Sequence, residues 1–473
     1  MCLETIAVKQ ACFSIHVENR YASGKTKRPR GPRSSLTLSR PHIDLQTQAL
    51  TYYLQHHLQV LTDVPNNLIG LSDCISAWKL SGKNCPMVDL ALSSMALAVF
   101  SRTQQRPQAA TEASSIYHRL LRVAQERIAQ LATSAVDDKG IDCFLLAVSL
   151  MGRYEGVTNP PEEFRSKGCL KSLQTWSHHD GAMAILKVWY DNLSHNSASC
   201  IMKQTRREFL RSSLLRNISL PDWMLDGSPF GEHDLQLDYD RIVVRLVNLR
   251  YASTSLQQRD GLNTMQTVQL STEAQELDRL LQDWATKIPS DCSYRRHILT
   301  EPDQPDLLPK RHFHSSTVYS FPTPGNAAAW SQLFALRMLV NSTRLQVLER
   351  SHPDSFAISN YDTQRLECID QLNATAESLA SSIPFALERF KVDKSSSPIN
   401  QTSISINTDN RIKPYLASMV MWPLTIASSI EEIDARQQVW FRSELTGLGR
   451  ITGDGILEST EADEWAILCG RRD

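Results

Sequence analysis

From position 45 onward, apolar residues recur at the three- and four-residue steps of a helix. In "DLQTQALTYYLQHHLQVL" the stripe is Leu45, Ala49, Tyr52, Tyr53, His56 and Val60, and Asp44 stands where an N-cap would. "MVDLALSSMALAVFSRT" is apolar almost all round, which predicts a helix inside the array rather than on its surface. "EASSIYHRLLRVAQERIAQLATSA" is amphipathic instead, with Ile116, Leu120, Val123, Ile128 and Leu131 predicted to be buried. "GIDCFLLAVSLMGRYEGV", closing on Tyr154, Glu155 and Gly156, and "HHDGAMAILKVWYDNL" continue the pattern. A Thr-Pro start signal at Thr323 opens a helix of about 25 residues that stacks Trp330, Phe334, Met338, Leu345 and Leu348. "RLECIDQLNATAESLASSI" predicts another helix, stopped by Pro384.

No run of alternating β-branched residues flanks an Asn-Gly or Asp-Gly turn. The predicted fold class is therefore all-α, a large multi-helix array. Two polar stretches interrupt it, residues 300–316 and 394–411, and both read as surface loops of one helical domain spanning 43–473. No internal repeat of fixed period appears.

Composition is that of an ordinary globular protein, with 41% apolar and 21% charged residues among 473. Fifty basic residues face 51 acidic ones, so no long-range field draws the whole chain to nucleic acid, and such a contact needs a local patch. Two patches qualify. In "SGKTKRPRGPRSS", 23–35, Lys25, Lys27, Arg28, Arg30 and Arg33 stand with two prolines and no acid, and residues 1–42 read as a flexible basic arm or linker. In "KQTRREFLRSSLLR", 203–216, Lys203, Arg206, Arg207, Arg211 and Arg216 alternate with Phe209, Leu210, Leu214 and Leu215. This second patch reads as a core-facing helix with a basic outer edge rather than a phosphate contact. The first residues lack the apolar segment and cleavage site of a secretory signal, and the longest apolar runs fall short of a membrane span. No membrane partner is expected.

Candidate chemistry is thin. The ten cysteines are dispersed and none has zinc-knuckle spacing, so they read as reduced, mostly buried thiols. "GLGRITGDG", 447–455, has clustered glycines but neither a preceding strand nor a following Lys-Ser or Lys-Thr pair, and reads as a helix-end loop rather than a phosphate cradle. The histidine pairs His178/His179 and His312/His314 read as exposed or hydrogen-bonded imidazoles. The carboxylate pairs Glu162/Glu163 and Glu431/Glu432 read as solvated faces. No Gly-x-Ser-x-Gly elbow occurs. No catalytic residue, cofactor or metal ligand is predicted.

Several segments resemble one family. "LLAVSLMGRYEG" followed by "TWSHHDGAMAILK" places Trp176, His178, Gly181 and Ala182 as in the fungal-specific transcription factor domain, with His179 where an apolar residue is usual. "SLLRNISLPDWM" resembles that family's Leu-Pro-x-Trp turn, and "AAAWSQLFALRMLVNSTRLQVLE" its long Trp-and-Arg helix. "ESLASSIPFALERF" and "YLASMVMWPLTIASSIEEIDARQQVWFRSELTGLGRITGDGILEST" are similar to its Ser-Ile-Pro segment and Trp-Pro-Leu helix pair. The resemblance spans roughly 42–460, and Pro423 within it is expected to start or kink a helix.

The resemblance implies a nuclear transcriptional regulator rather than an enzyme, controlling a fungal metabolic or secondary-metabolite gene cluster. It implies other transcription factors or co-regulators as partners and a homo- or heterodimer. "KTKRPRGPR" is similar to the basic linker that follows the zinc cluster in that family, and also reads as a nuclear import signal. Only Cys2 and Cys12 precede it, not six closely spaced cysteines. DNA would then be reached through a partner, or through a zinc-cluster exon missing from the chain. A helical enzyme and a cytoplasmic interaction protein of the same pathway are the alternatives.

Overall fold

The computed structural model describes residues 43–58, 70–82, 84–131, 138–158, 174–192, 197–257, 263–299, 312–350, 358–393, 403–407 and 411–461. The basic arm, with Lys25, Lys27, Arg28, Arg30 and Arg33, lies outside them. Fourteen α-helices are present among the described residues. They are α1 (Leu45–His56), α2 (Leu71–Leu80), α3 (Pro86–Thr103), α4 (Pro107–Leu131), α5 (Asp138–Thr158), α6 (Gln174–Asp191) and α7 (Cys200–Arg216). After them come α8 (Asp234–Gln257), α9 (Thr264–Thr286), α10 (Pro324–Glu349), α11 (Ile358–Ala386), α12 (Pro414–Ser429), α13 (Ala435–Thr452) and the single turn α14 (Gly455–Glu458). The predicted all-α class is the observed one.

Two helices organise the packing. In the first half, α3 carries α1, α4 and α5 against it, and eleven of its residues are buried, as its all-round apolar pattern requires. In the second half, α10 packs against α9, α11 and α12, and 22 of its 26 residues are buried. Its start follows the sequence signal: Thr323 caps the helix by accepting from the Asn326 amide, and Pro324 occupies the first turn, where its missing N–H costs nothing. Ala327, Ser331 and Ala335 keep one face of α10 slim, and Ser331 Oγ meets Ser382 Oγ of α11 at 2.9 Å with both residues fully buried. Helix α7 touches α2, α5, α6 and α8 and so joins the halves. One apolar core runs through both, from Ala49 to Leu457.

Several sequence expectations are corrected. Helix α11 does not stop at Pro384 but continues to Ala386. A proline that close to the end forfeits little, and the Pro384 carbonyl accepts from the Arg389 amide as the chain turns through Glu388 at φ 53°. Helix α12 starts at Pro414 and carries Pro423 inside it, so of the two expectations for Pro423, starting or kinking a helix, the start is overturned. Ile128, placed in the buried stripe of α4, is 54% exposed, because the helix outruns the partners that cover Ile116 and Leu120. Within the expected loop 394–411, Ser403–Ile406 is a strand (β4) paired antiparallel with β3 (Phe390–Asp393), and Ile404 and Ile406 pack on the Phe390 cluster. A second small hairpin, β1 (Arg295–Ile298) with β2 (Thr317–Ser320), flanks the other polar stretch. Four-residue strands are too short to print an alternation that can be told from chance.

"GLGRITGDG" is a helix-end turn. Gly453 ends α13 at φ +75°, a conformation that disfavours a side chain. Gly449 faces the backbone of α14 so closely that a Cβ would stand 2.5 Å from the Glu458 nitrogen. This approach brings Asp454 to Arg153 of α5 (2.7 Å) and Glu458 to Arg102 of α3 (2.5 Å), a clamp across the fold.

Candidate functional site

Helix α7 holds the densest charge in the interior. Ser199 caps it, accepting from the Met202 amide at 3.3 Å, and Asn217 ends it in the left-handed region. Between them Arg206 and Arg207, predicted to lie on an outer edge, face inward instead, while Lys203, Arg211 and Arg216 are half-buried. Arg206 is 1% exposed and grips Asp240 of α8 with two bonds, 2.6 and 2.9 Å, while Nε and Nη2 also donate to the Met224 carbonyl. Its guanidinium lies 5.1 Å from the centre of the Phe230 ring. Arg207 binds Glu232 in the same forked way, at 2.7 and 2.8 Å, and Lys203 adds a third cation 3.4 Å from that carboxylate. The partners stand 25 and 34 residues further along, on a turn and a helix whose positions α7 alone does not reveal.

One turn on, Arg211 borders a cavity of about 40 Å³ walled by α7, α8, α10 and α12. Tyr239, Gln332 and Trp422 reach it from the other three helices, and leucines, Val243 and the polar Arg207, Glu232, Gln236 and Asp240 complete the wall. Burial pulls the Arg211 guanidinium below its ordinary value and pushes the Tyr239 hydroxyl up to about 12, so Tyr239 stays an O–H donor. A wider groove of about 620 Å³ between α8 and α9 carries less free chemistry, since its Arg245 and Glu273 already pair at 2.9 Å.

A second polar knot joins α4, α5 and α6. Tyr117 donates to Glu155 Oε1 at 2.9 Å, and His178 Nε2 lies 2.6 Å from the same oxygen and 3.0 Å from the tyrosine hydroxyl. Tyr154 stacks on Tyr117 with ring centres 4.1 Å apart. Two residues singled out by their motif, Glu155 and His178, are thus in contact, while Glu155 Oε2 is buried without a partner. His179 turns towards α7, with Nε2 2.5 Å from Ser212 Oγ and its ring edge-on to Phe209. His312 contacts Glu444 at 3.0 Å, and His314 lies 3.8 Å from Glu377. Glu432 accepts from Gln346, and Glu162 and Glu163 lie outside the described residues. Among the described residues no three metal-ligating side chains converge.

Two buried histidines make stability depend on pH. Burial lowers His57, stacked on Tyr53, to about 3, with Arg153 and His56 adding to it. Burial lowers His179 to about 4, with Arg216 adding. Both folded values lie below the ordinary 6.5, so the stabilisation from keeping them neutral is full above that pH and shrinks as pH falls through it. Each should cost about 1.4 kcal/mol per pH unit below about pH 6. Urea unfolding should therefore show a midpoint that drops between about pH 7 and pH 5, with a shallower drop in His57→Gln. Equal slopes in the two proteins would refute the assignment.

The thiols of Cys74 (α2) and Cys200, the first residue of α7, lie 3.0 Å apart. Cys200 is drawn below its ordinary value by the S–H that Cys74 donates, and its place at a helix N-terminus favours the thiolate as well. Hydrogen peroxide should oxidise Cys200 to a sulfenic acid, releasing hydroxide, and Cys74 should then displace water to close a disulfide. Mass spectrometry of the unreduced digest should find the Cys74–Cys200 peptide pair, absent in Cys74→Ser. Recovery of both peptides uncrosslinked would rule the bond out.

Compared with known protein families, with curated proteins and with solved structures, the chain matches none of them.

Proposed function

We propose that this chain is a transcriptional regulator whose helical array is the regulatory and partner-contacting part, and that it does not work as an enzyme. One observation carries the reading. Segments singled out by the family resemblance lie far apart in sequence, yet they meet around α7. The Leu-Pro-x-Trp turn supplies the Met224 carbonyl that Arg206 holds, the His-His segment supplies His179, and the Trp-Pro-Leu helix supplies Trp422. Residues chosen for a shared pattern are expected to share a structural task when the pattern is real. The proposed setting is the nucleus, at a fungal metabolic or secondary-metabolite gene cluster. The partners are other transcription factors or co-regulators in a homo- or heterodimer, with DNA reached through one of them or through an upstream zinc cluster.

Fusing the full chain to a heterologous DNA-binding domain tests this at a reporter. A regulator should change expression in one direction and accumulate in the nucleus, and Lys27→Ala/Arg28→Ala/Arg30→Ala should move it to the cytoplasm. Cytoplasmic location of the unmodified chain with an unchanged reporter would favour a pathway interaction protein. The enzyme alternative rests on the Tyr117, Glu155 and His178 knot, the one acid/base grouping among the described residues that comes together around a buried carboxylate oxygen without a partner.

A further inference from the structure

We propose that the cavity between α7, α8, α10 and α12 binds the carboxylate of a small organic acid, with Arg211 as its principal contact. The proposal stands on the cavity alone and is independent of the regulatory reading.

The other cations of α7 are satisfied. Arg206 and Arg207 each hold a carboxylate by two bonds, and Lys203 shares Glu232 and donates to the Gly231 carbonyl. Among the described residues Arg211 makes neither a hydrogen bond nor an ion pair. Glu208, three residues back on the same helix, accepts from Gln204 and attracts Arg211 without an ion pair or hydrogen bond between them. Arg211 is half-buried and no carboxylate is hydrogen-bonded to it, so an anion that enters the cavity meets a cation partly shielded from water.

The remaining unpaired groups ask for the same partner. The indole N–H of Trp422 is buried without an acceptor. Indole and guanidinium groups only donate, so whatever meets both must accept. Tyr239 adds an O–H, and Gln332, 7% exposed, brings an amide to the wall. Two carboxylates, Glu232 and Asp240, also border the cavity, but each is neutralised by its own arginine. They leave room for one added negative charge and disfavour two, which selects a monocarboxylate over a phosphate dianion.

Size and polarity narrow the class. At about 40 Å³ the space holds roughly three water-sized groups, enough for a carboxylate and one adjoining carbon. Leu210, Leu214, Val243 and Leu336 would meet that apolar carbon.

The test uses the purified full chain with sodium acetate, sodium phosphate and sodium chloride at matched ionic strength. Millimolar acetate should raise the melting temperature above the chloride control and shift the Trp422 indole N–H resonance, identified by its loss in Trp422→Phe. Phosphate should do neither. Arg211→Gln, which keeps a polar side chain but not the charge, should melt close to the parent without ligand and should lose the acetate response. Trp422→Phe should retain it with affinity weaker by roughly tenfold. The proposal fails if acetate matches chloride, if phosphate alone stabilises, or if the response survives in Arg211→Gln. Should Arg211→Gln fail to fold, an unmoved indole resonance in the parent overturns the proposal by itself.

Discussion

Asp240→Leu should lower the unfolding free energy by about 3–5 kcal/mol, because it leaves the Arg206 guanidinium buried with no counter-charge. Arg206 is 1% exposed and Asp240 4%, so no side-chain rotation brings either to solvent. The more informative variant replaces both, Arg206→Met with Asp240→Leu. It should recover most of the loss, since two desolvation costs vanish together, but not all of it. The Met224 carbonyl would lose both of its Arg206 donors, and a buried acceptor left bare costs about 1–3 kcal/mol. Urea unfolding of parent, single and double variants gives the three numbers. A single variant within about 1 kcal/mol of the parent would mean that the pair is not buried in solution.

Phe230→Ala should cost a similar amount, about 3–5 kcal/mol. Phe230 is fully buried where the rings of Trp189, Tyr190 and Trp223 meet, at 5.5, 5.9 and 6.2 Å, and its own ring lies beside Arg206. Removing it opens a space that four neighbours frame but none can fill without leaving its own contacts. It also withdraws the π face from the guanidinium, so its effect should not add to that of Asp240→Leu. A double-mutant cycle should return a coupling above about 0.5 kcal/mol, and strict additivity would mean that ring and ion pair act separately. Phe230→Leu, which keeps most of the volume, should cost under about 1.5 kcal/mol.

The helices were legible because a helix writes its buried face locally. Leu45, Ala49 and Tyr53 sit one turn apart whatever they pack against, and the Thr323-Pro324 start depends on two adjacent residues. The burial of Arg206 and Arg207 on α7 was not legible, because a helix whose leucines face the core reads as keeping its basic residues on an outer edge, whereas here both sets are covered. That burial depends on Glu232 and Asp240, whose nearness is a property of the assembled fold. The same holds for the cavity, where Arg211, Tyr239, Gln332 and Trp422 come from four helices and only their meeting gives them a shared chemistry. Glu155 and His178 were noticed as separate motif residues, and their 2.6 Å contact depends on the packing of α5 against α6.

The clamp of Arg102 on Glu458 spans 356 residues of chain. At roughly 5–20 residues per second of synthesis, the second partner is made about 20–70 s after the first. For that interval α3 and α5 are complete while the turn that α13 and α14 will lay against them does not yet exist. Arg102, Arg153 and the apolar surface around them then face water or a chaperone rather than the protein's own interior. The protein's exposure on the ribosome is thus set by its last contacts rather than its first, and stalling translation ahead of α13 should yield a nascent chain that protease cuts within α3 to α5.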